Sequence, residues 1–422
     1  MRLTPGIHDI IARAARQEFA RAMRFRDGVK LDISPCSLRE PRLLYIHIPF
    51  CERLCPYCSF HRVVFEDTLC RDYFHALRKE ILFYKERDCD FRGLYVGGGT
   101  PTILIDELEE TIALARECFR IQEISVETNP NHLTDKNMAV LKRAGVNRLS
   151  VGVQSFDDGL LKEMERYDKY GSGKVIAERL KHTLGLFDTL NADMIFNFPS
   201  QSMTRLNRDL EILMEIGMDQ ITYYPLMVSD STRWVINKTI GKVDYNKEKQ
   251  FYRQIVNRLV PVYRFSSAWC FSRREVVSII DEYIVDYDEY AGLGSGSIGY
   301  LNGTCYANTF NIREYIAEVN RGEMPLLASN NFSLKEKIRY DFLMKLFGMK
   351  LDVPALRKKY GGKFYKYIWP DIFAFILIGD LRYRPPRFYL TEQGCYTWVV
   401  MMREFFIAVN NFRDFCRAKI MP

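Results

Sequence analysis

The sequence predicts an α/β fold: a core of parallel strands followed by a smaller, mostly α-helical C-terminal domain. Two observations lead to this prediction. Between residues 41 and 240, six short apolar runs rich in β-branched residues alternate with amphipathic segments of helical spacing. From residue 332 onward, segments of helical period dominate. Repeated strand–helix alternation is typical of a parallel β/α barrel or a doubly wound sheet, and in both architectures ligands gather at the carboxyl ends of the strands.

The first segment, residues 1–40, contains a predicted amphipathic helix over 7–25. Arginines lie mostly opposite its apolar face, which is formed by Ile7, Ile11, Ala15, Phe19, Ala22 and Met23. Such a helix packs on the main domain or lies on a lipid surface.

The second segment, residues 41–240, holds the β/α core. Its predicted strands are 43–48, 93–98, 123–128, 147–153, 191–198 and 220–226, and its helical segments include 72–86 and 104–118.

The third segment, residues 241–331, is expected to complete the barrel and form the substrate pocket, and it includes the glycine-rich run 290–303. The fourth segment, residues 332–422, is predicted to be mostly helical and winged-helix-like, with a strand and turn at 387–394. We expect it to cover the barrel rather than to bind DNA.

Composition narrows the functional classes. A 47% hydrophobic share suits a large globular core, and a net charge of +7 over 422 residues is consistent with an anionic substrate. No arginine-rich tract with interleaved aromatics points to nucleic acid. The N-terminus does not resemble a signal peptide, and the longest uncharged apolar run near the C-terminus, 372–379, is too short to span a membrane. These features predict a cytoplasmic protein with reduced thiols, so some of the eleven cysteines are expected to serve metal binding or catalysis.

Three cysteines, Cys51, Cys55 and Cys58, follow the first predicted strand directly. Three thiolates on a cuboidal four-iron cluster leave one iron open, and an open coordination position is what catalysis requires. A small molecule could fill it through an amine and a carboxylate. The alternatives are a zinc site completed by His47 or His61, or three buried thiols. Zinc sites favour paired C-x2-C halves, and the chain has no second half.

The run GGGTP, residues 97–101, follows the second predicted strand. Its glycines allow the backbone to approach a ligand closely, although a tight turn would explain them nearly as well. Its position one strand beyond the cysteines favours a shared site.

The runs CERLCPYC and GGGTP, with YIHIPFC, VETNP, NRLSVGVQSF and DMIFNFP around them, resemble the radical S-adenosylmethionine (SAM) superfamily. They are most similar to its oxygen-independent coproporphyrinogen III oxidase branch, which includes haem chaperones and two-SAM methylases. The resemblance covers residues 41 to 350 and implies a partial (β/α)6 barrel.

The resemblance also implies a set of site residues. Cys51, Cys55 and Cys58 would hold a 4Fe-4S cluster, and Tyr45 would lie against the cluster and SAM. The remaining implied SAM contacts are Gly98, Gly99 and Thr100 for the amine, Glu127 for the ammonium, Gln154 and Asp193 for the ribose, and Arg166 for the methionyl carboxylate. Gly294 and Gly296, in the run 292–300, would help to form a pocket for a second SAM; the alternative for this run is a strand packed tightly against a neighbouring helix.

The implied activity is reductive cleavage of SAM to a 5′-deoxyadenosyl radical under anaerobic conditions, with an electron donor such as flavodoxin or ferredoxin. The substrate is expected to be a large, anionic small molecule, tetrapyrrole-like or lipid-like. Aromatic residues in 223–234 and 269–275, with Arg273 and Arg274, suggest a pocket for its acidic groups, or else an aromatic core beside solvated arginines.

One departure from the branch concerns the exact reaction. Coproporphyrinogen oxidases carry a fourth cysteine two positions after the third, and here that position is Phe60. This argues against decarboxylation. The two readings kept are a radical enzyme that performs two-SAM methyl transfer or C–C bond formation, and a haem chaperone.

Overall fold

The computed structural model describes residues 6–27, 42–230, 232–275 and 283–418. The strands in chain order are β1 (Arg26–Asp27), β2 (Leu43–Ile48), β3 (Phe50–Cys51), β4 (Val63–Val64), β5 (Gly93–Gly98), β6 (Glu123–Thr128), β7 (Arg148–Gln154), β8 (Thr189–Phe196), β9 (Gln220–Pro225), β10 (Tyr263–Phe265), β11 (Cys270–Arg273), β12 (Tyr290–Leu293), β13 (Ile298–Leu301), β14 (Thr304–Asn308), β15 (Leu326–Asn331), β16 (Lys350–Asp352), β17 (Leu381–Arg384) and β18 (Arg387–Leu390).

The α-helices in chain order are α1 (Gly6–Ala22), α2 (Asp67–Glu86), α3 (Ile105–Cys118), α4 (Asp135–Ala144), α5 (Asp158–Glu163), α6 (Tyr167–Tyr170), α7 (Gly173–Thr183), α8 (Met203–Ile216), α9 (Arg233–Thr239), α10 (Tyr245–Leu259), α11 (Tyr283–Asp286), α12 (Ile312–Asn320), α13 (Leu334–Phe347), α14 (Val353–Tyr360), α15 (Lys363–Leu377) and α16 (Glu392–Ala418).

The core is a parallel sheet. Seven strands run parallel in the order β12, β2, β5, β6, β7, β8, β9. The last six are the predicted strands, so the predicted parallel α/β core is confirmed. Every residue of β2 is buried, as expected for a strand covered on both faces. The seventh strand, β12, comes from the glycine-rich run, for which a strand was the alternative to a ligand pocket.

Local sequence signals set the ends of the helices between these strands. Side-chain oxygens of Thr134, Asp157, Ser172 and Ser202 accept backbone N–H groups at the starts of α4, α5, α7 and α8. Gly145 and Gly217 end α4 and α8 in the left-handed conformation. These caps fix where the helices between the strands begin and end.

Antiparallel strands extend the sheet on both sides. On one side β13, β14, β15 and β1 continue from β12, and on the other β11 and β10 continue from β9. Because β11 runs antiparallel to β9, its final residue lies beside the amino end of β9, where Arg273 N donates to Asp219 O at 2.9 Å. Arg273 and Arg274 therefore do not point to the carboxyl ends of the parallel strands, and the pocket suggested for them is wrong. Trp269, which precedes β11, is fully buried core.

The C-terminal region is mostly helical, as predicted, with the small antiparallel sheet β16–β18–β17. Residues 391–394 are not a turn after the strand, because α16 begins at Glu392. The region shares one hydrophobic core with the barrel; the rings of Trp269 and Phe347, for example, lie 4.8 Å apart. The proposed boundaries at 240/241 and 331/332 remain predictions.

The N-terminal helix α1 packs on α16. Phe19 contacts Phe405 at a ring separation of 5.4 Å, and Arg16 pairs with the buried carboxylate of Glu404 at 2.7 Å. This matches the reading in which the helix packs on the main domain; residues 28–40 lie outside the described ranges. None of the helices in those ranges has both the length and the apolar composition that a membrane span requires.

Candidate functional site at the carboxyl ends of the strands

A cavity of about 340 Å³ opens where the parallel strands end. Its lining comes from the ends of six strands, the loop after β3, the β12–β13 region and one face of α16. Most of the sequence-predicted site residues line it, namely Tyr45, Cys51, Cys55, Cys58, Gly98, Gly99, Glu127, Gln154, Arg166, Asp193 and Gly296. Two predicted residues, Thr100 and Gly294, are not part of this lining.

The cysteine loop, residues 51–62, is held in a compact shape by its own last residue. The Arg62 Nη2 atom donates to Cys55 O at 2.6 Å and to Cys58 O at 2.5 Å. Cys51 and Cys55 are buried, whereas Cys58 is half-buried. One guanidinium thus fixes the backbone at two of the three cysteines and leaves their thiols facing the cavity.

Buried positive charge lies in the loop and beside it. Arg62 Nε and Nη1 and Arg166 Nε are buried and have no hydrogen-bond partner within the described chain. Arg166 Nη1 lies 3.7 Å from Cys55 Sγ. A cluster bearing thiolates is anionic, and buried cations beside it are what such a group requires. Donor chemistry and charge at the loop therefore fit a four-iron cluster.

Of the two histidines considered for a zinc site, His47 is fully engaged, whereas His61 Nδ1 is buried and has no hydrogen-bond partner within the described residues. His47 Nε2 lies 2.9 Å from His61 O, which can only accept, so Nε2 carries the proton. His47 Nδ1 then accepts from the Tyr45 hydroxyl at 2.8 Å, and burial lowers the pKa of His47 to about 4. Both ring nitrogens of His47 are occupied. Over the described ranges, no three His, Cys, Asp or Glu side chains converge on a single-ion site.

Glu127 stands at the end of β6, beside the glycine run. Its Oε2 accepts from Gly98 N at 3.0 Å, and its Oε1 accepts from the Tyr95 hydroxyl at 2.8 Å. A Cβ on Gly97 would lie 2.7 Å from Glu127 Oε1. The carboxylate is thus positioned by the glycine run and lines the cavity.

The other two glycines of the run serve the same purpose. Gly98 has φ +118°, and a Cβ there would lie 2.6 Å from the His47 ring. A Cβ on Gly99 would meet Phe50 O at 2.6 Å and Cys51 Sγ at 3.0 Å. The run is therefore glycine because side chains and backbone of the site pack against it, whereas the sequence indicated either close approach of a ligand or a tight turn.

Gln154 and Asp193 lie on neighbouring strands β7 and β8. Asp193 Oδ2 accepts from Ser150 Oγ and its Oδ1 from Asn191 Nδ2, both at 2.8 Å. Gln154 has φ +73° at a register shift between the two strands. The polar groups predicted for a ribose thus share one wall, and Asp193 is held by its neighbours.

Arg166 is fixed by contacts beyond the cysteines. Its Nη2 donates to Gly152 O and its Nη1 to the Tyr57 hydroxyl at 3.3 Å, while the guanidinium stacks over Tyr170 at 4.2 Å. Further along the chain, a Cβ on Gly173, the first residue of α7, would lie only 1.8 Å from Phe156 O. These contacts bring Arg166 between the cysteine loop and β7.

Tyr45 joins an aromatic cluster on the opposite wall. Its ring stacks on Tyr283 at 5.5 Å and lies 6.1 Å from Tyr95. Burial raises the pKa of Tyr45, and the negative charge of Glu127 adds to the shift. The hydroxyl is therefore kept protonated and donates to His47.

The run predicted to receive a second SAM is packed closely against protein. A Cβ on Gly294 would lie 2.3 Å from the Tyr73 hydroxyl, and one on Gly296 would lie 2.4 Å from the His61 ring. Both glycines have positive φ, +95° and +73°. Tight packing therefore accounts for these glycines, and Gly296, Ile298 and Tyr300 are the members of the run that also line the cavity.

Two features of the cavity were missed from the sequence. Arg62 lies four residues after Cys58, and nothing in that spacing predicts that it binds two carbonyls. The residues of α16 that line the cavity, among them Phe406, Val409 and Arg413, lie more than 340 positions beyond the cysteines. Only tertiary packing brings that helix to the site.

Comparisons with known proteins agree with the motifs. A family model described as the Radical SAM superfamily matches residues 45–181. The haem chaperone HemW of Lactococcus lactis is 30% identical over 287 residues, which are 66% of this chain and 75% of that protein. HemW of Bacillus subtilis is 26% identical over 368 residues, 83% of this chain and 95% of that protein. The solved structure of Escherichia coli coproporphyrinogen III oxidase (HemN), a radical SAM enzyme, has the same fold, with a TM-score of 0.73 at 22% identity over 92% of this chain and 93% of that one.

Proposed function

Because the chain belongs to the radical SAM superfamily, in the family of HemW and HemN, we propose that it acts on a large, carboxylated tetrapyrrole bound beside Cys51, Cys55 and Cys58. One observation carries the proposal. A single cavity is lined both by the three cysteines and by apolar side chains of β13 and α16. It therefore offers a cluster site and an apolar binding surface in one enclosed space.

In this proposal Cys51, Cys55 and Cys58 hold the 4Fe-4S cluster. When bound, the cluster and SAM supply a 5′-deoxyadenosyl radical, with an electron donor such as flavodoxin or ferredoxin. Glu127 accepts from the ammonium of SAM, and Asp193 accepts from its ribose. The face of α16 that lines the cavity would exclude water from the reacting atoms.

The proposed SAM site is completed by Gly98, Gly99, Thr100, Gln154 and Arg166. Arg166 is charged and close to Cys55, so it suits the carboxylate of SAM. Thr100 does not line the cavity. Its Oγ1 lies 3.7 Å from Cys51 Sγ and accepts from Asn129 Nδ2 at 2.8 Å. Thr100 is thus a positioning residue for the first cysteine.

The finer form of the proposal is a two-SAM methyl transfer or C–C bond formation. Its support is that Gly296 and Ile298 reach the cavity that the cysteines also line. Equilibrium binding of labelled SAM tests it, since two sites per chain are expected and one site contradicts it. Gly296→Val is unsuitable as a probe, because the new side chain would collide with His61.

The haem-chaperone alternative is favoured by the two HemW relatives. Coproporphyrinogen decarboxylation is disfavoured because Phe60 occupies the position of the fourth cysteine; this side chain is 41% exposed at the cavity. The two functions differ in whether SAM is consumed in proportion to a changed tetrapyrrole.

The deciding experiment uses anaerobically reconstituted protein, dithionite, and either haem or coproporphyrinogen III. The enzyme proposal expects 5′-deoxyadenosine to rise with added tetrapyrrole and a product of altered mass to form. Stable haem binding with no altered product and no additional SAM cleavage would contradict the enzyme proposal and support the chaperone. Cys118→Ser, which changes a half-buried cysteine far along the chain from the loop, should behave like the parent in this assay.

A further inference from the structure

One face of α16 forms part of the cavity wall. The residues that it presents are Phe405, Phe406, Val409 and Arg413, whose spacing of three, four and seven places them on one side of a helix. Three of them are apolar. Arg413 places a permanent positive charge within an otherwise apolar surface.

Arg413 makes few contacts for a side chain in this position. Its Nη1 donates to Asn410 Oδ1 at 2.9 Å, and its guanidinium stacks on the Phe60 ring at 4.8 Å. Its Nε is buried and has no hydrogen-bond partner within the described chain. Burial lowers its pKa below the ordinary arginine value, although the nearby Tyr45 and Tyr283 oppose the shift.

Its neighbour on the same helix shows what is missing. Arg417, one turn further on, pairs with Asp414 and also donates to Ser59 O at 3.3 Å. Over the described ranges, Arg413 has no ion pair with any carboxylate. A guanidinium withdrawn from water without an anion is unfavourable, so the fold maintains this charge at a cost.

Arg413 lines the same cavity as the three cysteines. Its electrostatic neighbours are Tyr45, Tyr283 and Cys58, which line the same cavity, and Arg417, a like charge on its own helix. Carboxylates that line the cavity already accept hydrogen bonds from other groups. Glu127, for example, accepts from the backbone N–H of Gly98 and from the hydroxyl of Tyr95. The open partner of Arg413 is therefore a group that arrives with a ligand.

We propose that Arg413 binds a carboxylate of the substrate, while Phe405, Phe406 and Val409 contact its apolar body. This inference rests on the proposed function and specifies its ligand: a flat or bulky apolar molecule with at least one peripheral carboxylate. A guanidinium can take such a carboxylate through two parallel hydrogen bonds. Phe60 supports the guanidinium plane from one face.

The test is a fluorescence titration of anaerobically reconstituted protein with coproporphyrin III and with its tetramethyl ester, which lacks the charges. The parent protein is expected to bind the free acid more tightly than the ester. Arg413→Gln should weaken binding of the free acid by about 10- to 100-fold and leave the ester unchanged. Arg413→Lys, which keeps the charge and loses the planar fork, should fall between them.

Arg321→Gln removes the same charge from an exposed ion pair and should change neither affinity. Iron content and the urea midpoint of each variant confirm that the fold and cluster persist. Equal loss of acid and ester binding in Arg413→Gln would show a packing role and overturn the inference alone, as would unchanged binding of the acid. If the parent binds neither porphyrin, the tetrapyrrole proposal itself fails and this inference fails with it.

Discussion

At the scale of single residues, Arg62 is the side chain on which the cysteine loop most depends. It bridges the carbonyls of Cys55 and Cys58, so Arg62→Met should loosen the loop. We expect iron to be lost to a chelator about ten-fold faster than from the parent. Arg53→Met, which changes an exposed residue of the same loop, should leave this rate unchanged. Equal rates in parent and Arg62→Met would show that the loop does not need this contact.

Glu127 and Asp193 should act on SAM and not on the metal. Glu127→Gln and Asp193→Asn each remove a charge without changing size, so SAM affinity should fall by about 10-fold or more while iron content stays constant. Equilibrium dialysis with labelled SAM measures the first quantity and iron analysis the second. Glu123→Gln, at the opposite, exposed end of the same strand, is the control. Parent-like SAM binding in both variants would refute their assignment.

The sequence carried enough information to identify most of the site side chains. Cys51, Cys55, Cys58, Glu127 and Asp193 lie at or just after predicted strands, and the parallel arrangement brings strand ends together. The role of the glycine run was not predictable, because it depends on which side chains pack against each Cα. Arg413 was missed for a similar reason, because its place in the cavity depends on packing between distant parts of the chain.

At the scale of elements, the six strands of the parallel core followed from their apolar runs. In the run that holds β12 a strand was predicted only as an alternative, because the run is rich in glycine and glycine is depleted in strands. The suggestion of an acid-binding pocket at Arg273 and Arg274 failed on strand direction. A strand that returns antiparallel carries its last residues away from the site, and residue spacing does not reveal direction.

The joint between α16, α10 and α1 should be important for stability. Arg403 pairs with Glu248 of α10 and with Glu404, and all three are buried, while Arg16 of α1 reaches Glu404. Arg403→Met leaves two buried carboxylates poorly compensated, so the free energy of unfolding should drop by about 3–5 kcal/mol in urea titrations. Arg208→Met, at an exposed helix pair, should change it by less than about 0.5 kcal/mol. A similarly small effect of Arg403→Met would contradict this account of the joint.

At the scale of the whole molecule, buried carboxylates should make stability depend on pH. Burial raises the pKa of Glu80 and of Asp209 to about 7 each, although hydrogen-bond donors oppose the shift. In the unfolded chain these groups lose their protons at lower pH, so between the two pKa values the native state binds more protons. The free energy of unfolding contributed by each group therefore falls as pH rises through this window and levels off above about pH 7.

Asp209→Asn isolates this contribution, because the amide can still accept from Phe156 N and donate to Ser155 Oγ. Relative to this variant, the parent should lose about 3 kcal/mol of stability between pH 5 and pH 8. Urea titrations of both proteins at each pH provide the measurement. A constant difference across this range would show that Asp209 ionises normally in the native state.

The central claim is that the loop of Cys51, Cys55 and Cys58 holds a four-iron cluster with one iron open to SAM. Its most direct test is electron paramagnetic resonance of the reduced, anaerobically reconstituted protein, with iron and sulfide analysis, before and after SAM is added. We predict about four irons and four sulfides per chain, a reduced-cluster signal that SAM alters, and loss of the signal in Cys51→Ala, Cys55→Ala and Cys58→Ala. Stoichiometric zinc without iron, or a cluster signal that SAM leaves unchanged, would contradict the claim.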